Sequence, residues 1–463
     1  LFLQVNSFQY LQLDDVMRIL FICLTLIFGL SSLWFASQTW GIGYDPDSII
    51  YEDVAENWLA GYGIARFDFE SGDRYPMTNF PPLYPLILAV LSQIVGTVAN
   101  AARLLNTALW GGLWLMVYAW SYRGLRVDKI AWCFATLLMF NLMILQVFGT
   151  SWSEPLFMML GFSGLWFILD YYQTWRWRYL IVASVLFACA ILTRYAGVAF
   201  VMTTGIILLT ASSRSWRERI QSLAVLGMIS GLPLSIWLLR NVSVRGDVAN
   251  RDVGFTLLGL PQLESTIQTF GNWLIPIPEP IATIASLMLI GILLFWTIFQ
   301  ARKHQLSTTI ESQILRWWIV IYTVFIVASF SFIDPRIPFN YRILLPAYVG
   351  IIMLIGRYVA SQQSQIIQAL RDSPSTATIY TNNNFLFHYL TDSPAHTLPP
   401  ANDTNFEDWL EQLPDDDVIQ IVYFDLLSQR GWESTEQIES LLPLTVINPS
   451  DVVTVYQLER PNE

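Results

Sequence analysis

Apolar runs separated by short polar or charged loops fill the chain from about residue 19 to residue 360. A membrane-spanning helix needs roughly 20 mostly apolar residues. The pattern predicts ten of them, at residues 19–37, 104–120, 130–149, 155–171, 179–192, 196–211, 220–239, 281–299, 317–333 and 343–360. Residues 81–95 are apolar too, but 15 residues with three prolines predict an interfacial or juxtamembrane helix rather than a span. From residue 361 the pattern changes. Strand-like runs at 378–380, 418–424 and 452–457 alternate with helix-like runs at 405–413 and 435–442, divided by turn signals such as Leu413-Pro-Asp-Asp and Asn448-Pro-Ser. The predicted fold is therefore an all-α polytopic membrane bundle of about ten transmembrane helices over residues 1–360, followed by a small soluble α/β domain over 361–463. The bundle carries a large first outer loop at 40–80. No internal repeat and no inverted symmetry is visible, and the tail has no nucleotide-binding glycine motif.

Composition agrees, with 54% hydrophobic and 13% charged residues, against about 25% charged in an ordinary soluble domain. The net charge of −11 is unevenly placed. Residues 361–463 hold 16 acidic and 3 basic residues, a net of −13, which leaves +2 for residues 1–360. The acidity belongs to the tail, and neither part suits nucleic acid. Cys23, Cys133 and Cys189 all lie in apolar runs, so they form no loop disulfide framework and no zinc cluster with His304, His388 or His396. The chain starts on Leu1, and Met17, followed by Arg18 and an apolar run, is a candidate start. No small-residue cleavage pattern follows that run, so a cleaved signal peptide is not expected.

Loop charge orients the bundle. One alternating set of loops carries 13 Lys and Arg, and the other carries nine over much longer loops. The first set is expected in the cytoplasm, which places loop 40–80 outside. The same parity puts the acidic tail in the cytoplasm. A bacterial-type plasma membrane is the expected location.

Candidate chemistry gathers at the outer helix ends. Asp45 followed by Pro46 predicts a helix start, with Asp as cap and Pro at the first helical position, and Gly61 predicts its end. Asp47 then falls in the first turn, where the helix dipole favours a carboxylate. Tyr51 follows one turn later on the same face. Either aspartate has a plain reading as a helix-starting residue, more so Asp45, because one cap suffices. In Ser151-Trp-Ser-Glu-Pro155, Glu154 stands at the mouth of a span. It reads as a boundary cap or as a functional group, since charge near hydrocarbon is costly. Arg103, Arg194, Arg336 and Arg342 oppose the charge rule. An arginine's planar fork suits phosphate oxygens, but each also reads as a snorkelling side chain, and Arg336 as a partner for Asp334.

Several segments are familiar in their order. Asp47-Ser-Ile-Ile-Tyr51, then Ala55 and Leu59-Ala-Gly-Tyr-Gly63, then Phe80-Pro-Pro-Leu-Tyr-Pro-Leu-Ile-Leu-Ala89 resemble the GT-C glycosyltransferases. The branch they resemble is glycosyltransferase family 39, with its protein O-mannosyltransferase and lipid A aminoarabinose transferase relatives. Ala102-Arg-Leu-Leu-Asn106, Ser153-Glu-Pro155, Leu192-Thr-Arg-Tyr-Ala-Gly197 and Tyr341-Arg-Ile-Leu-Leu-Pro346 look like later landmarks of that family. The likeness covers residues 18–360. It implies a polyprenyl-phosphate-linked sugar donor, inversion at the anomeric carbon, and a loop acid at the active site, which by match is Asp47. The family often has an Asp-Glu pair there, whereas this chain has Asp47-Ser48. Relatives often place a C-terminal domain outside, against the parity above.

The expected activity is transfer of a sugar to the hydroxyl of a lipid, glycan or protein acceptor. Asp47 is the expected base, and Glu154 shares the catalytic site. Asp45, Tyr51, Arg103, Arg194, Tyr341 and Arg342 are expected to bind substrate. Asp47 and Glu154 are also candidate ligands for a divalent cation, Mg²⁺ or Mn²⁺, because such ions take one or two carboxylates plus phosphate oxygens. Two other classes compete. A transporter needs ionisable groups near the bilayer midplane, and here the span interiors lack Asp, Glu and Lys. A non-catalytic sensor or assembly protein acting through its tail would tolerate loss of Asp47.

Overall fold

The structure, a computed structural model, describes residues 2–68, 71–123, 128–211, 214–246, 248, 254–274, 309–371, 378–381, 395–398, 419–424, 444–448 and 453–458. The chain divides into two compact units. One takes in Leu1–Arg123 and Asp128–Arg357, and the other Tyr358–Glu463.

The first unit is helical. Helix α1 (Phe2–Trp40) is followed by α2 (Pro46–Leu59), a short hairpin of β1 (Ala65–Phe67) and β2 (Arg74–Pro76), α3 (Leu83–Val95) and α4 (Val98–Tyr122). Then come α5 (Asp128–Met139), α6 (Leu142–Phe148), α7 (Glu154–Thr174), α8 (Trp177–Thr193), a 3₁₀ turn (Tyr195–Gly197) and α9 (Val198–Thr210). The described helices end with α10 (Trp216–Arg245), α11 (Leu260–Leu274), α12 (Ile310–Phe332) and α13 (Tyr341–Arg371).

Five segments are long and apolar enough to cross a membrane by themselves: Ile19–Gln38, Glu154–Thr174, Trp216–Arg245, Ile310–Phe332 and Tyr341–Ser361. The number rises to seven if each of two bent helix pairs is one span. This is an integral, multi-pass membrane protein, with fewer qualifying spans among the described residues than the ten expected. Three causes account for four of the five runs that do not qualify alone, and the fifth, 104–120, lies in α4, which qualifies only together with α3. The run at 130–149 is not one helix: α5 and α6 meet at 66°, because the Asn141 side chain accepts from the Met143 and Ile144 N–H groups and starts a new helix. An Asn side chain that caps in this way competes with helix continuation. The runs at 179–192 and 196–211 form shorter helices, α8 and α9, separated by the turn at Tyr195–Gly197. The expected span at 281–299 lies outside the described residues. Helix α3 meets α4 at 104°.

Small residues let the bundle close. A Cβ on Gly161 of α7 would lie 1.9 Å from Phe200 Cε2, and one on Gly164 would lie 2.3 Å from Phe187 Cε1. Glycines at these positions allow the helices to approach closely, as in membrane bundles generally. The space they leave holds an aromatic stack: Phe200 lies 3.8 Å from Trp318 and 5.9 Å from Phe187, ring centroid to ring centroid. Trp110, Trp114, Trp120 and Trp318 are all fully buried.

The second unit contains a five-stranded sheet of β3 (Thr378–Thr381), β4 (His396–Thr397), β5 (Ile419–Phe424), β6 (Leu444–Asn448) and β7 (Val453–Leu458), in the order β4-β3-β5-β7-β6. Strand β3 runs parallel to β4 and β5, while β7 runs antiparallel to β5 and β6. Its core is Leu398, Ile421, Tyr423 and Tyr456. Strands β3, β5 and β7 lie on runs the sequence pattern picks out. Strand β4 is too short to show alternation, and β6 ends on Asn448, which reads as a turn in the sequence. The helices expected at 405–413 and 435–442 lie outside the described residues.

Candidate active site

The segment before α2 is held against the segment before α7. Gly43 N donates to Gly149 O at 2.8 Å, and Ser151 N donates to Gly43 O at 2.9 Å. Glycine eases this short parallel bridge, since a Cβ on Gly43 would lie 3.0 Å from Thr150 Oγ1 and 3.3 Å from Gly149 O. From below, Asn106 of α4 donates its amide to Phe148 O at 3.1 Å and Thr150 O at 2.7 Å. The turn is thus tied to two other elements, which satisfies buried backbone groups that its local bonds leave open.

Two carboxylates of α2 are delivered by that bridge. Asp45 caps the helix, accepting from Ser48 N at 2.9 Å and Ser48 Oγ at 3.0 Å, and Pro46 takes the first helical position. Asp47 lies in the first turn. Burial raises the Asp45 pKa, but the Ser48 N–H, then a hydrogen bond from Trp152 and then the Arg342 charge outweigh it and hold the carboxyl below its ordinary range. Glu154 opens α7 ahead of Pro155 and is buried. Arg194 lies between α8 and the 3₁₀ turn in extended conformation, and Arg342 lies in the first turn of α13.

These residues meet on one guanidinium. Arg342 donates from Nη1 to Asp45 Oδ2 at 2.9 Å, from Nη2 to Asp47 Oδ2 at 2.6 Å, and from Nε to Glu154 Oε1. Its flat face lies 4.3 Å from the centre of the Trp152 ring. Arg194 Nη1 approaches the same Glu154 oxygen at 2.8 Å and donates to Ser153 Oγ at 3.2 Å, and Ser153 Oγ in turn lies 3.2 Å from the Tyr51 hydroxyl. The Tyr51 ring packs edge-on against Phe80 and Tyr84 of the Phe80-Pro-Pro-Leu-Tyr segment. Five of these groups are charged, three acidic and two basic. Each acid is held by a charge-assisted bond, the stronger class of hydrogen bond.

Two clefts adjoin the cluster. One, of about 630 Å³, is lined by apolar Leu33, Ala36, Leu142 and Leu145 and by polar Tyr44, Asp45, Gln146 and Tyr341. The other, of about 330 Å³, is lined by Asp47, Asn79, Arg194, Asp334, Arg336 and Arg342. Both volumes fall in the range of small-molecule sites, about 300–1,000 Å³.

Of the residues expected at the site, Asp45, Asp47, Tyr51, Glu154, Arg194 and Arg342 come together, and Tyr341 lines the larger cleft. Arg103 does not join them. It donates to Ser37 Oγ at 2.9 Å and Trp34 O at 2.6 Å and lies 3.7 Å over the Trp34 ring, where it ties α4 to α1. Arg336 pairs with Asp334 at 2.9 Å, and its side chain is 73% exposed at the mouth of the smaller cleft. Trp152, Ser153 and Asn106 had no role assigned from sequence. All three lie beside landmark residues in the sequence, but nothing local reveals that Ser153 bridges Tyr51 to Arg194 or that Asn106 props a turn.

Asp47 and Glu154, the expected ligands of a divalent cation, each already give one oxygen to the Arg342 guanidinium. No group of three His, Cys, Asp or Glu side chains among the described residues is arranged to hold a metal.

A family model described as dolichyl-phosphate-mannose-protein mannosyltransferase matches residues 79–237. No curated protein matches the chain. Among solved structures, ArnT from Cupriavidus metallidurans in the apo state has 13% identity, a TM-score of 0.39, and coverage of 96% of this chain and 98% of its own. The same protein bound to undecaprenyl phosphate has 13% identity, a TM-score of 0.38 and coverage of 95% and 97%. The oligosaccharyltransferase AglB from Archaeoglobus fulgidus, in complex with an inhibitory peptide and a dolichol-phosphate, has 11% identity and a TM-score of 0.43, over 77% of this chain and 51% of its own. The family match covers the stretch from Asn79 to Trp237 that carries the Phe80-Pro-Pro, Ser153-Glu-Pro and Thr193-Arg-Tyr landmarks. There the chain is similar to the dolichyl-phosphate-mannose-protein mannosyltransferases, in keeping with the GT-C glycosyltransferase resemblance of its sequence.

Proposed function

We propose that this protein transfers a sugar from a polyprenyl-phosphate-linked donor to an acceptor hydroxyl at the outer face of the membrane. Asp47 is the base. The acceptor oxygen attacks the anomeric carbon as its proton passes to Asp47, the bond from that carbon to the phosphate oxygen breaks, and the lipid phosphate leaves with the electron pair. A single displacement of this kind inverts the anomeric centre.

The observation that supports this reading is the meeting of Asp45, Asp47 and Glu154 on Arg342, beside a cleft that Arg194 and Arg336 also line. Asp47 meets Arg342 through Oδ2 alone, and its Oδ1 takes no hydrogen bond from the described residues. A carboxylate held by one oxygen is oriented while the other remains available to a hydroxyl. The arginines supply fixed positive charge where negative charge grows on the phosphate, the kind of preorganised electrostatics that usually dominates catalysis. Donor phosphate would compete with Asp47 for Arg342, so the base is released as the donor arrives. Charge stabilisation falls to arginine here, and no divalent cation enters the scheme.

Asp47→Asn tests it. The amide keeps the size and loses the basic oxygen. A positioned base contributes about 10²–10⁴-fold to rate, so transfer from a polyprenyl-phosphate donor by purified protein in nanodiscs should fall by at least about a hundredfold. Donor binding should persist, since a competitor for Arg342 is weakened. Near-normal turnover in this variant would remove Asp47 as the base.

A further inference from the structure

Between α10 and α11 the chain exposes a run of large apolar side chains. Phe255, Leu257, Leu258, Leu260 and Leu263 are 66%, 75%, 43%, 80% and 57% exposed. From Gly254 to Leu274 only Glu264 is charged. A contiguous apolar patch on this scale marks a contact surface.

The run continues surfaces that belong to spans. Helix α12 turns Val320, Val324 and Phe332 outward, and α10 turns out Leu232, Ile236 and Leu239, as spans do where they meet hydrocarbon. Phe255 packs on Phe332, the last residue of α12, with ring centroids 5.4 Å apart, and Thr256 N donates to Ser331 O at 2.8 Å. The exposed apolar row of α12 therefore passes into Phe255 and the leucines that follow. Farther along α11, Ser265 Oγ donates to Phe339 O at 2.7 Å, and Trp273 is buried against Tyr348 of α13 at 4.2 Å. The far end of α11 is thus packed in the bundle while its near end and the preceding residues remain exposed.

We propose that Phe255–Leu263 is a membrane-immersed strap, its apolar side chains buried in the bilayer at the end of the bundle that carries the site. Segments of this kind sit about 5–10 Å into the boundary between headgroups and acyl chains. The strap is bonded to both Ser331 and Phe339. Between those residues lie Asp334, Arg336, Ile337 and Pro338, one wall of the smaller cleft. Immersion would therefore set that wall at headgroup level, where a lipid-borne phosphate travels. The inference rests on the multi-pass reading and is independent of the chemistry proposed for Asp47.

The test uses full-length protein in nanodiscs, with Cys23, Cys133 and Cys189 replaced by Ala and a single cysteine carrying an environment-sensitive NBD label. Leu260→Cys and Leu263→Cys report on the strap, Leu232→Cys on a lipid-facing span, and Ser71→Cys on an exposed loop. Label at 260 and 263 should emit to the blue of label at 71 and lose intensity when doxyl lipids are introduced, more with a shallow doxyl group than with a deep one. Water-like emission without quenching at 260 and 263, with quenching retained at 232, overturns the strap alone. Loss of quenching at 232 as well overturns the multi-pass reading on which the strap rests. Two reporters on the strap keep the test decisive if one variant fails to fold.

Discussion

Helix α13 carries two nearly buried arginines. Arg342 and Arg357 are 8% and 3% exposed, and 15 positions of α-helix set them roughly 22 Å apart. Their surroundings differ in kind. Arg357 donates Nη1 to the backbone carbonyls of Trp120 at 2.8 Å and Arg123 at 2.9 Å, and reaches Glu311 only at 3.6 Å. Neither of the two clefts beside the acidic cluster reaches it. Carbonyls at a helix end are acceptors that need a donor in any case, so Arg357 reads as a clasp between α4, α12 and α13. Arg342 is held by three carboxylates, more negative charge than one guanidinium neutralises even with Arg194 beside it, and it lines a cleft. A buried arginine marks a functional site when its partners carry surplus charge and face a cavity. When its partners are backbone carbonyls it is structural.

The contrast is sharpest in Arg342→Ala, which should have the largest effect on turnover. Removing one partner from a buried ionic set leaves uncompensated charge and typically costs about 3–5 kcal/mol. Here three carboxylates would be left. Transfer should fall at least as far as in Asp47→Asn, and the folded protein should also lose thermal stability. Arg342→Lys should restore stability better than activity, because the ammonium lacks the fork that reaches three acids at once. The same variant tests the cation. With the guanidinium gone, Asp45, Asp47 and Glu154 are free to take a divalent ion. Mn²⁺ should therefore raise the melting temperature of Arg342→Ala and leave wild type unchanged. A rise in wild type would mean that Arg342 does not stand in the cation's place.

Arg194→Ala comes next. It removes one of two arginines on Glu154 and part of the lining of the smaller cleft. A charge-assisted bond is worth about 1.5–3 kcal/mol, so donor affinity should fall by roughly ten- to a hundredfold, with only partial rescue by Lys. Unchanged donor affinity would make Arg194 a brace for Glu154 and Ser153.

Arg357→Met should do the reverse. Two carbonyls and Glu311 lose their donor, and each buried unsatisfied group costs about 1–3 kcal/mol. Melting should fall while turnover per folded molecule stays at wild-type level. A selective loss of turnover would erase the distinction between the two ends of α13. Arg103→Ala should behave like Arg357→Met, since it ties α4 to α1.

Much of this was legible in the sequence, and the limits have physical causes. Asp45 with Pro46 announces the start of α2, and Pro155 that of α7, because capping and proline placement are local rules. The charge-rule violations pointed to Arg194 and Arg342 as groups needing a reason to be where they are. What was not legible is pairing. Arg342 meets Asp45 and Asp47 across 297 and 295 positions of chain, and no periodicity carries that information. For the same reason Arg103 looked like a peer of Arg342. The two are alike in sequence context, and only the fold gives one three carboxylates and the other a hydroxyl, a carbonyl and a ring. The break at Asn141 is a subtler case. An Asn in an apolar run reads as a tolerated polar residue until its side chain is seen capping the next helix.

The smallest expected effect concerns Glu52, which lies on α2 near the cluster but outside it. Burial raises its carboxyl above the ordinary range, and the hydrogen bond from Tyr44, at 3.1 Å, only partly offsets this. The Tyr44 hydroxyl is in turn pushed up to about 12, by burial and by Glu52. A carboxyl whose folded pKa is raised contributes stability that is full below its unfolded value, near 4.3. That contribution is lost as pH rises through the folded value. Asp45 has the opposite sign. Its folded pKa is depressed, so its contribution is present above about 3.9 and lost as pH falls through the folded value. Glu52→Gln keeps the size and an acceptor for Tyr44 while removing the titration. The variant's melting temperature should therefore rise relative to wild type as pH increases above about 4.3. Asp45→Asn, which still caps the helix, should lose the dependence on the acid side instead. Both are read from melting curves over a pH series in one detergent, with turnover of Glu52→Gln near wild type. Parallel wild-type and Glu52→Gln curves across that series would mean that Glu52 titrates alike folded and unfolded. The influence of carboxylates on this face would then be confined to the three that Arg342 holds.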